Sequence, residues 1–185
     1  LEKIEEQIAI VEAQEKTYIA NLDLGYRTDT LDVTGEVLER KDFIPPSKEA
    51  FIEVCNSFLG DIEQIPPMYS AIKVNGKKLY EYARKGQQVE IKPRNIEIYD
   101  IELIKVNKEE KQMQFKVRCS KGTYIRTLCE NIAEEMQTVG YMKELKRTKV
   151  GKFTIEQAIT IEQLKEGQNI KVITLEEMFE DKEKI

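Results

Sequence analysis

Hydrophobic and polar residues alternate along several stretches of the chain, and this period of two predicts half-buried strands. Over Thr17–Leu24 the alternation places Tyr18 on the same face as three apolar residues. Ile96–Val106 and Met113–Cys119 predict two further strands. The short polar turn Asn107–Lys111 between them favours an antiparallel hairpin.

A period near 3.6 predicts helices elsewhere. Leu1–Lys16 carries one apolar stripe, and a helix capped by Ser47 runs as far as Phe58. Two short helical patterns follow at Ile161–Leu164 and Leu175–Phe179, after an extended stretch at Tyr141–Ile155. Together these strands and helices predict an α+β fold, with a mixed, mostly antiparallel sheet and helices packed on it.

The stretch Cys119–Leu128 joins a strand to the clearest helical pattern, which continues to about Gln137 and is ended by Gly140. Thr123 is a plausible helix N-cap, which places Arg126 in the first turn. A basic residue is unfavourable at this end of the helix dipole, so an anionic partner would explain Arg126. The alternative is an ordinary surface arginine.

A proline-rich, basic segment at 65–86 interleaves cations with tyrosines. Asn75-Gly76 predicts a hairpin turn, and Leu79–Arg84 a short helix. Cations beside aromatic rings are typical of RNA-binding surfaces. A solvated loop whose tyrosines pack into the core is the alternative.

Composition limits the possible chemistry. The 185 residues include no histidine, which excludes histidine bases and ligands within this chain, and the three cysteines have no metal-binding spacing. No apolar run is long enough to span a membrane. Because the three cysteines are an odd number and two lie in strand or helix patterns, they indicate structural thiols in a reducing compartment, and we expect a cytoplasmic protein. The net charge of −5 argues against nucleic acid, but residues 73–94 and 143–152 are locally basic.

Five motifs resemble the TruB family of bacterial tRNA pseudouridine synthases over about Lys16–Leu164. They are K-T-Y, L-G-Y-R-T-D-T-L-D-V-T-G, I-P-P-M-Y-S-A-I-K-V-N-G-K-K-L-Y-E-Y-A-R-K-G, C-S-K-G-T-Y-I-R-T-L and L-K-R-T-K-V-G-K-F. The resemblance implies a partial catalytic domain at 16–159 with an RNA-gripping insert at 65–86. Helical segments at 1–15, of unclear match, and 160–185 flank it.

The resemblance also implies an activity. The family isomerises the T-loop uridine of tRNA to pseudouridine without cofactor or metal, through attack by an aspartate on a flipped-out nucleoside. Tyr18 would stack on the base and assist proton removal, Arg126 would pair with the aspartate, and Leu145 would pack against the base. Substrate-binding residues in the insert would be Tyr69, Lys73, Lys77, Lys78 and Arg84.

One family motif does not occur in this sequence. The nucleophilic aspartate belongs to G-T-L-D-P, upstream of K-T-Y, and Thr30-Leu31-Asp32 matches that motif only superficially. The nucleophilic role is therefore not transferred to Asp32 or Asp29. We expect part of a catalytic domain that is inactive by itself. The alternative is a non-catalytic RNA-binding fragment or module.

Overall fold

The computed structural model describes residues 10–45, 47–167 and 174. Residues 10–13 are helical. The rest of the helix predicted at Leu1–Lys16, and all of the one predicted at Leu175–Phe179, lie outside the described residues. Two compact units divide the chain, Leu1–Phe153 and Thr154–Ile185.

Ten strands and four helices have defined bounds in the described part of the chain. The strands are β1 (Lys16–Leu24), β2 (Tyr26–Thr28), β3 (Val37–Arg40), β4 (Gly60–Gln64), β5 (Lys73–Val74), β6 (Lys77–Lys78), β7 (Arg94–Asn107), β8 (Gln112–Cys119), β9 (Gly140–Val150) and β10 (Phe153–Thr154). The helices are α1 (Lys48–Ser57), α2 (Leu79–Ala83), α3 (Ile125–Glu135) and α4 (Ile161–Lys165), with a 3₁₀ turn at Ile155–Gln157.

A six-stranded sheet in the order β10-β9-β1-β8-β7-β4 forms the centre of the fold. The pairings of β1 with β8 and β9, and of β7 with β4 and β8, are all antiparallel. Two small sheets, β2-β3 and β5-β6, lie outside it. The predicted α+β architecture is confirmed, and the hairpin of β7 and β8 forms as expected.

The core lies between one face of this sheet and two helices. Helix α1 packs against β7 and α3, while α3 packs against β9 and β1. The alternation in β1 has its expected result, because Ala20, Leu22 and Leu24 are buried. Phe51 of α1 meets Phe115 of β8 with ring centroids 6.3 Å apart. In the second unit, Thr160 caps α4 through Gln163.

Three local predictions from sequence need correction, and one strand was not predicted. The polar stretch Gly25–Asp32 predicts a turn, but Tyr26–Thr28 within it forms strand β2. Strand β4 was not predicted. Gly140 begins β9 rather than ending the helix, which stops at Glu135. The N-cap of α3 is Tyr124, because the Thr123 hydroxyl donates instead to the Ser120 carbonyl at 2.9 Å.

Gly140→Ala is expected to destabilise the fold. A Cβ at this buried position would lie 2.7 Å from the Ala133 Cβ and 2.9 Å from Leu22 Cδ1. Overpacking of this kind costs about 1–3 kcal/mol in unfolding free energy, measurable by urea denaturation. Adding Ala133→Gly removes one of the two clashes. We expect the double variant to lose less than the sum of the single losses, and additive losses would contradict this steric explanation.

Candidate active site

Arg126 is the best-anchored charged side chain at the start of α3. Its Nη1 donates to the Thr30 carbonyl and to Asp32 Oδ2, each at 3.0 Å, and its Nη2 donates to the Tyr69 carbonyl at 2.7 Å. The Arg126 and Asp32 side chains are only 20% and 18% exposed. The anionic partner that the sequence indicated is therefore present, and it is Asp32.

Asp32 is held by several donors besides Arg126. Its Oδ1 accepts hydrogen bonds from the Thr30 hydroxyl at 2.8 Å, the Thr34 N–H at 3.0 Å and the Thr34 hydroxyl. Burial by itself would raise the pKa of Asp32. The hydrogen bonds from Thr34 and Thr30 and the charge of Arg126 outweigh burial and lower that pKa below its usual value. Because both its oxygens are bonded, Asp32 is suited to anchoring Arg126 rather than to nucleophilic attack.

The loop that carries Asp32 is conformationally strained. Leu31, 8% exposed, has a φ of +61°, a left-handed conformation that a bulky side chain rarely adopts. Its N–H donates to the Thr28 carbonyl, and its carbonyl accepts from the Met142 N–H at 3.0 Å. This turn places the Thr30 carbonyl and the Asp32 carboxylate beside Arg126.

Tyr69 joins the insert (65–86) to this site. Its hydroxyl donates to Asp29 Oδ2 at 3.1 Å, and its backbone carbonyl accepts from Arg126. Asp29 Oδ1 in turn accepts from the Glu36 N–H at 2.9 Å. The structure therefore brings two sequence-predicted residues, Tyr69 and Arg126, into direct contact, and both aspartates of the T-D-T-L-D segment contribute to holding them.

Tyr18 and Leu145 lie on the neighbouring strands β1 and β9. In the strand register Tyr18 is opposite Arg147 and Ala20 is opposite Leu145, so Tyr18 and Leu145 project from the same face of the sheet. Leu145 is 42% exposed. Burial raises the pKa of the half-buried Tyr18, and Arg147 only partly opposes this. Tyr18 is therefore a neutral phenol at pH 7.

The insert is a folded hairpin and helix. Asn75 and Gly76 both have positive φ between β5 and β6, which confirms the Asn-Gly turn, and α2 confirms the short helix. Leu79 is completely buried. The Lys78 and Arg84 cations lie over the Tyr80 ring, 5.5 and 5.2 Å from its centroid. Of the predicted contact residues, Lys73, Lys77 and Arg84 are exposed.

Sequence reasoning missed the role of Asp32 and its hydroxyl partners. The signal was present, since Arg126 lacked a partner and T-D-T-L-D-V-T supplies two carboxylates flanked by hydroxyls. Within residues 10–45 and 47–167, no group of three His, Cys, Asp or Glu side chains is arranged to hold a metal ion. No helix in the described part of the chain is long and apolar enough to cross a membrane.

Comparison with known proteins decides the family. The model of the TruB family pseudouridylate synthase N-terminal domain matches residues 2–125, and that of the tRNA pseudouridylate synthase B C-terminal domain matches residues 126–181. The chain belongs to the TruB family. Membership agrees with the resemblance of the five motifs.

Curated TruB relatives are similar over most of this chain. The tRNA pseudouridine synthase B of Rickettsia akari is 47% identical over 146 residues, which cover 79% of this chain and 50% of that protein. The enzyme of the same name from Clostridium tetani is 49% identical, over 83% of this chain and 52% of the relative. The chain thus spans about half the length of these relatives.

Solved structures share the TruB fold. One, a Cbf5-Nop10-Gar1 complex, has a TM-score of 0.61 and 26% identity, covering 89% of this chain and 39% of that chain. A second, of an H/ACA RNP bound to a substrate RNA containing 2'-deoxyuridine, has a TM-score of 0.57 and 21% identity. It covers 91% of this chain and 41% of that chain. At that identity, the second likeness supports the fold alone.

Proposed function

We propose that this chain carries the pocket tyrosine and arginine of a tRNA pseudouridine synthase, which isomerises the T-loop uridine to pseudouridine. An aspartate attacks the nucleoside, and the uracil is detached, turned and rejoined through carbon. The observation that carries the proposal is the anchored Arg126, which lies in the C-S-K-G-T-Y-I-R-T-L motif of the family.

The hydrogen bonds of Arg126 support its role beside a nucleophilic carboxylate. A guanidinium has five N–H donors, and three of those of Arg126 bond to Thr30, Asp32 and Tyr69. The two that remain, on Nε and Nη2, are suited to a second carboxylate. An adjacent guanidinium keeps such a carboxylate ionised, and attack requires the ionised form.

Tyr18 and Leu145 form the other part of the proposed pocket. The Tyr18 ring offers a face on which an extruded uracil stacks, and the exposed Leu145 packs against the base. The raised pKa of Tyr18 keeps its hydroxyl protonated until the base arrives. Assistance in proton removal then requires the base to come within hydrogen-bonding distance of that hydroxyl.

The insert is the proposed contact to the T-stem loop of tRNA. Lys73 and Lys77 are exposed on its hairpin, and Tyr80 is already flanked by the cations Lys78 and Arg84. Cations neutralise phosphates while an aromatic ring stacks on an unpaired base. Because Tyr69 bonds to Arg126, the same segment links RNA contact to the reacting centre.

Lys77→Ala is expected to weaken tRNA binding with little change in the rate at saturating tRNA. Each lost phosphate contact removes about 0.9 from the slope of log K against log salt, or about 0.7 where the RNA is single-stranded. Filter binding between about 50 and 200 mM salt measures that slope. The control is Lys108→Ala, at the β7–β8 turn, the opposite end of β8 from the site. Equal salt slopes for Lys77→Ala and Lys108→Ala would show that Lys77 does not contact a tRNA phosphate.

The 185-residue chain by itself is expected to bind tRNA and to form no pseudouridine, since it lacks the G-T-L-D-P aspartate. The test combines tRNA binding with pseudouridine detection, for the chain alone and for the intact enzyme. Product from the chain alone would refute the assignment of the nucleophile. Binding without product in both would favour the second candidate, a non-catalytic RNA-binding module.

The proposed reaction needs no metal or cofactor, because a carboxylate, a tyrosine and an arginine supply its nucleophile, its proton transfer and its charge stabilisation. The substrate places the enzyme in the cytoplasm with tRNA. If added EDTA leaves the rate of the intact enzyme unchanged, this part of the proposal stands.

A further inference from the structure

The buried side chain of Gln64 bridges the end of β4 and the start of α3. Gln64 is 3% exposed. Its Oε1 accepts from the Tyr124 N–H at 2.8 Å, and its Nε2 donates to the Tyr124 carbonyl at 3.1 Å. A carboxamide presents one acceptor and one donor side by side in a plane, so it matches both backbone groups of one residue.

Tyr124 is the N-cap of α3, and its own side chain makes no capping hydrogen bond. Its carbonyl already accepts the first helical bond, from the Leu128 N–H at 3.0 Å. The N–H groups at a helix start have no partner within the helix and depend on groups supplied from elsewhere. Gln64, sixty residues earlier in the chain, holds the residue at which α3 begins.

A closed ring of contacts connects this bridge to Arg126. Arg126 follows Tyr124 by two residues and donates to the Tyr69 carbonyl at 2.7 Å. Tyr69 follows Gln64 by five residues, along the first part of the insert. The ring therefore runs from Gln64 to Tyr69, across to Arg126, back to Tyr124 and across to Gln64.

We propose that Gln64 is a positioning residue, which fixes the first turn of α3 and thereby the place of the Arg126 guanidinium. Without the carboxamide, the Tyr124 N–H loses its buried partner and the start of α3 is released from β4. The three hydrogen bonds of Arg126 then loosen together. The consequence for catalysis rests on the proposed function, whereas the consequence for the position of Arg126 does not.

The first test uses NMR of the 185-residue chain. Gln64→Met keeps the apolar length of the side chain and removes both hydrogen bonds. We expect the Tyr124 amide to exchange at least tenfold faster with solvent and the Arg126 ¹⁵Nε signal to shift. Val117, in the middle of the sheet, should keep its protection.

The second test uses pH to separate positioning from simple loss of packing. In Gln64→Glu the carboxylate has no donor for the Tyr124 carbonyl, whereas the protonated acid supplies one and still accepts from the N–H. The Arg126 signal of this variant should therefore return toward the unaltered position as the pH falls and the introduced carboxylate takes up a proton. Gln64→Met should show no such recovery.

Controls make the result decisive. Gln88→Glu adds the same charge at an exposed position and should leave both signals unchanged. An Arg126 signal that stays in place in Gln64→Met, or a Gln64→Glu shift that is the same at every pH, would overturn the proposal. If Gln64→Met does not fold, the pH series of Gln64→Glu still decides.

Activity measurements on the intact enzyme distinguish the positioning role of Gln64 from the proposed function. Gln64→Met should lower the rate at saturating tRNA at least tenfold and leave the Kd for tRNA within threefold. If the unaltered enzyme forms no pseudouridine, the proposed function fails. The NMR shift of the Arg126 ¹⁵Nε signal still tests the role of Gln64, because it does not depend on catalysis.

Discussion

Arg126→Lys in the intact enzyme is expected to lower the rate of pseudouridine formation at least a hundredfold while tRNA affinity changes less than threefold. The planar guanidinium reaches Thr30, Asp32 and Tyr69 at once. A lysine ammonium is a single point charge that cannot keep this geometry and also face a nucleophilic carboxylate. Loss of one preorganised donor at a reacting centre costs about 10²- to 10³-fold.

Single-turnover kinetics at saturating tRNA and filter binding at one fixed salt concentration measure the two effects separately. The control Arg94→Lys makes the same change at the exposed first residue of β7 and should leave both values unaltered. If the loss in Arg126→Lys lies entirely in the Kd, then Arg126 contacts RNA and does not serve the nucleophile.

Asp32→Asn is expected to have the second-largest effect, a roughly 10- to 100-fold lower rate with tRNA binding maintained. The substitution keeps the size of the side chain and removes the charge that holds Arg126. Hydrogen bonds between charged groups contribute about 1.5–3 kcal/mol, and about 1.4 kcal/mol corresponds to a tenfold change in rate. The effect is smaller than that of Arg126→Lys because the Thr30 and Tyr69 carbonyls still hold the guanidinium.

Asp29→Asn is the matched control for Asp32→Asn. Asp29 belongs to the same loop, but it bonds to Tyr69 and the Glu36 backbone rather than to Arg126. The rate should therefore fall much less in Asp29→Asn. Equal losses in the two variants would mean that the loop as a whole matters, not the charge beside Arg126.

Stability gives an independent measure of the Asp32 environment. The folded-state pKa of Asp32 lies below its ordinary value of 3.8, so the ionised form favours folding. This contribution is fully present above pH 3.8 and is lost as the pH falls through the lower, folded-state pKa. Urea denaturation should show the unaltered chain more stable than Asp32→Asn at pH 7, with the difference shrinking in acid.

Much of the fold was predictable because it depends on local pattern. Strand β1, the β7–β8 hairpin and helix α3 each have one apolar face. In the strands the apolar residues recur every second position, and in α3 every third or fourth. Burial of that face produces the element expected. The Ser47 cap was also predictable, since its hydroxyl accepts from the Ala50 N–H at 3.1 Å. These elements needed no knowledge of distant partners.

The remaining features depend on partners far along the chain. Strand β4 has a single half-buried apolar residue, Ile62, and is defined by its pairing with β7. Thr123 satisfies the local rule for an N-cap, yet Gln64 holds Tyr124 in that position. Asp32 and Arg126 are 94 residues apart, so the sequence indicated that Arg126 needed an anionic partner but not which residue supplies it.

The place of β1 in the sheet has a consequence for synthesis on the ribosome. β1 ends at Leu24, but its two neighbours, β8 and β9, end at Cys119 and Val150. At ~5–20 residues per second, roughly 6 to 25 seconds pass before β1 can pair on both edges. During that interval Ala20, Leu22 and Leu24 lack at least one of the two strands that flank them in the folded sheet. The nascent chain is therefore a natural client for chaperones that shield apolar strands.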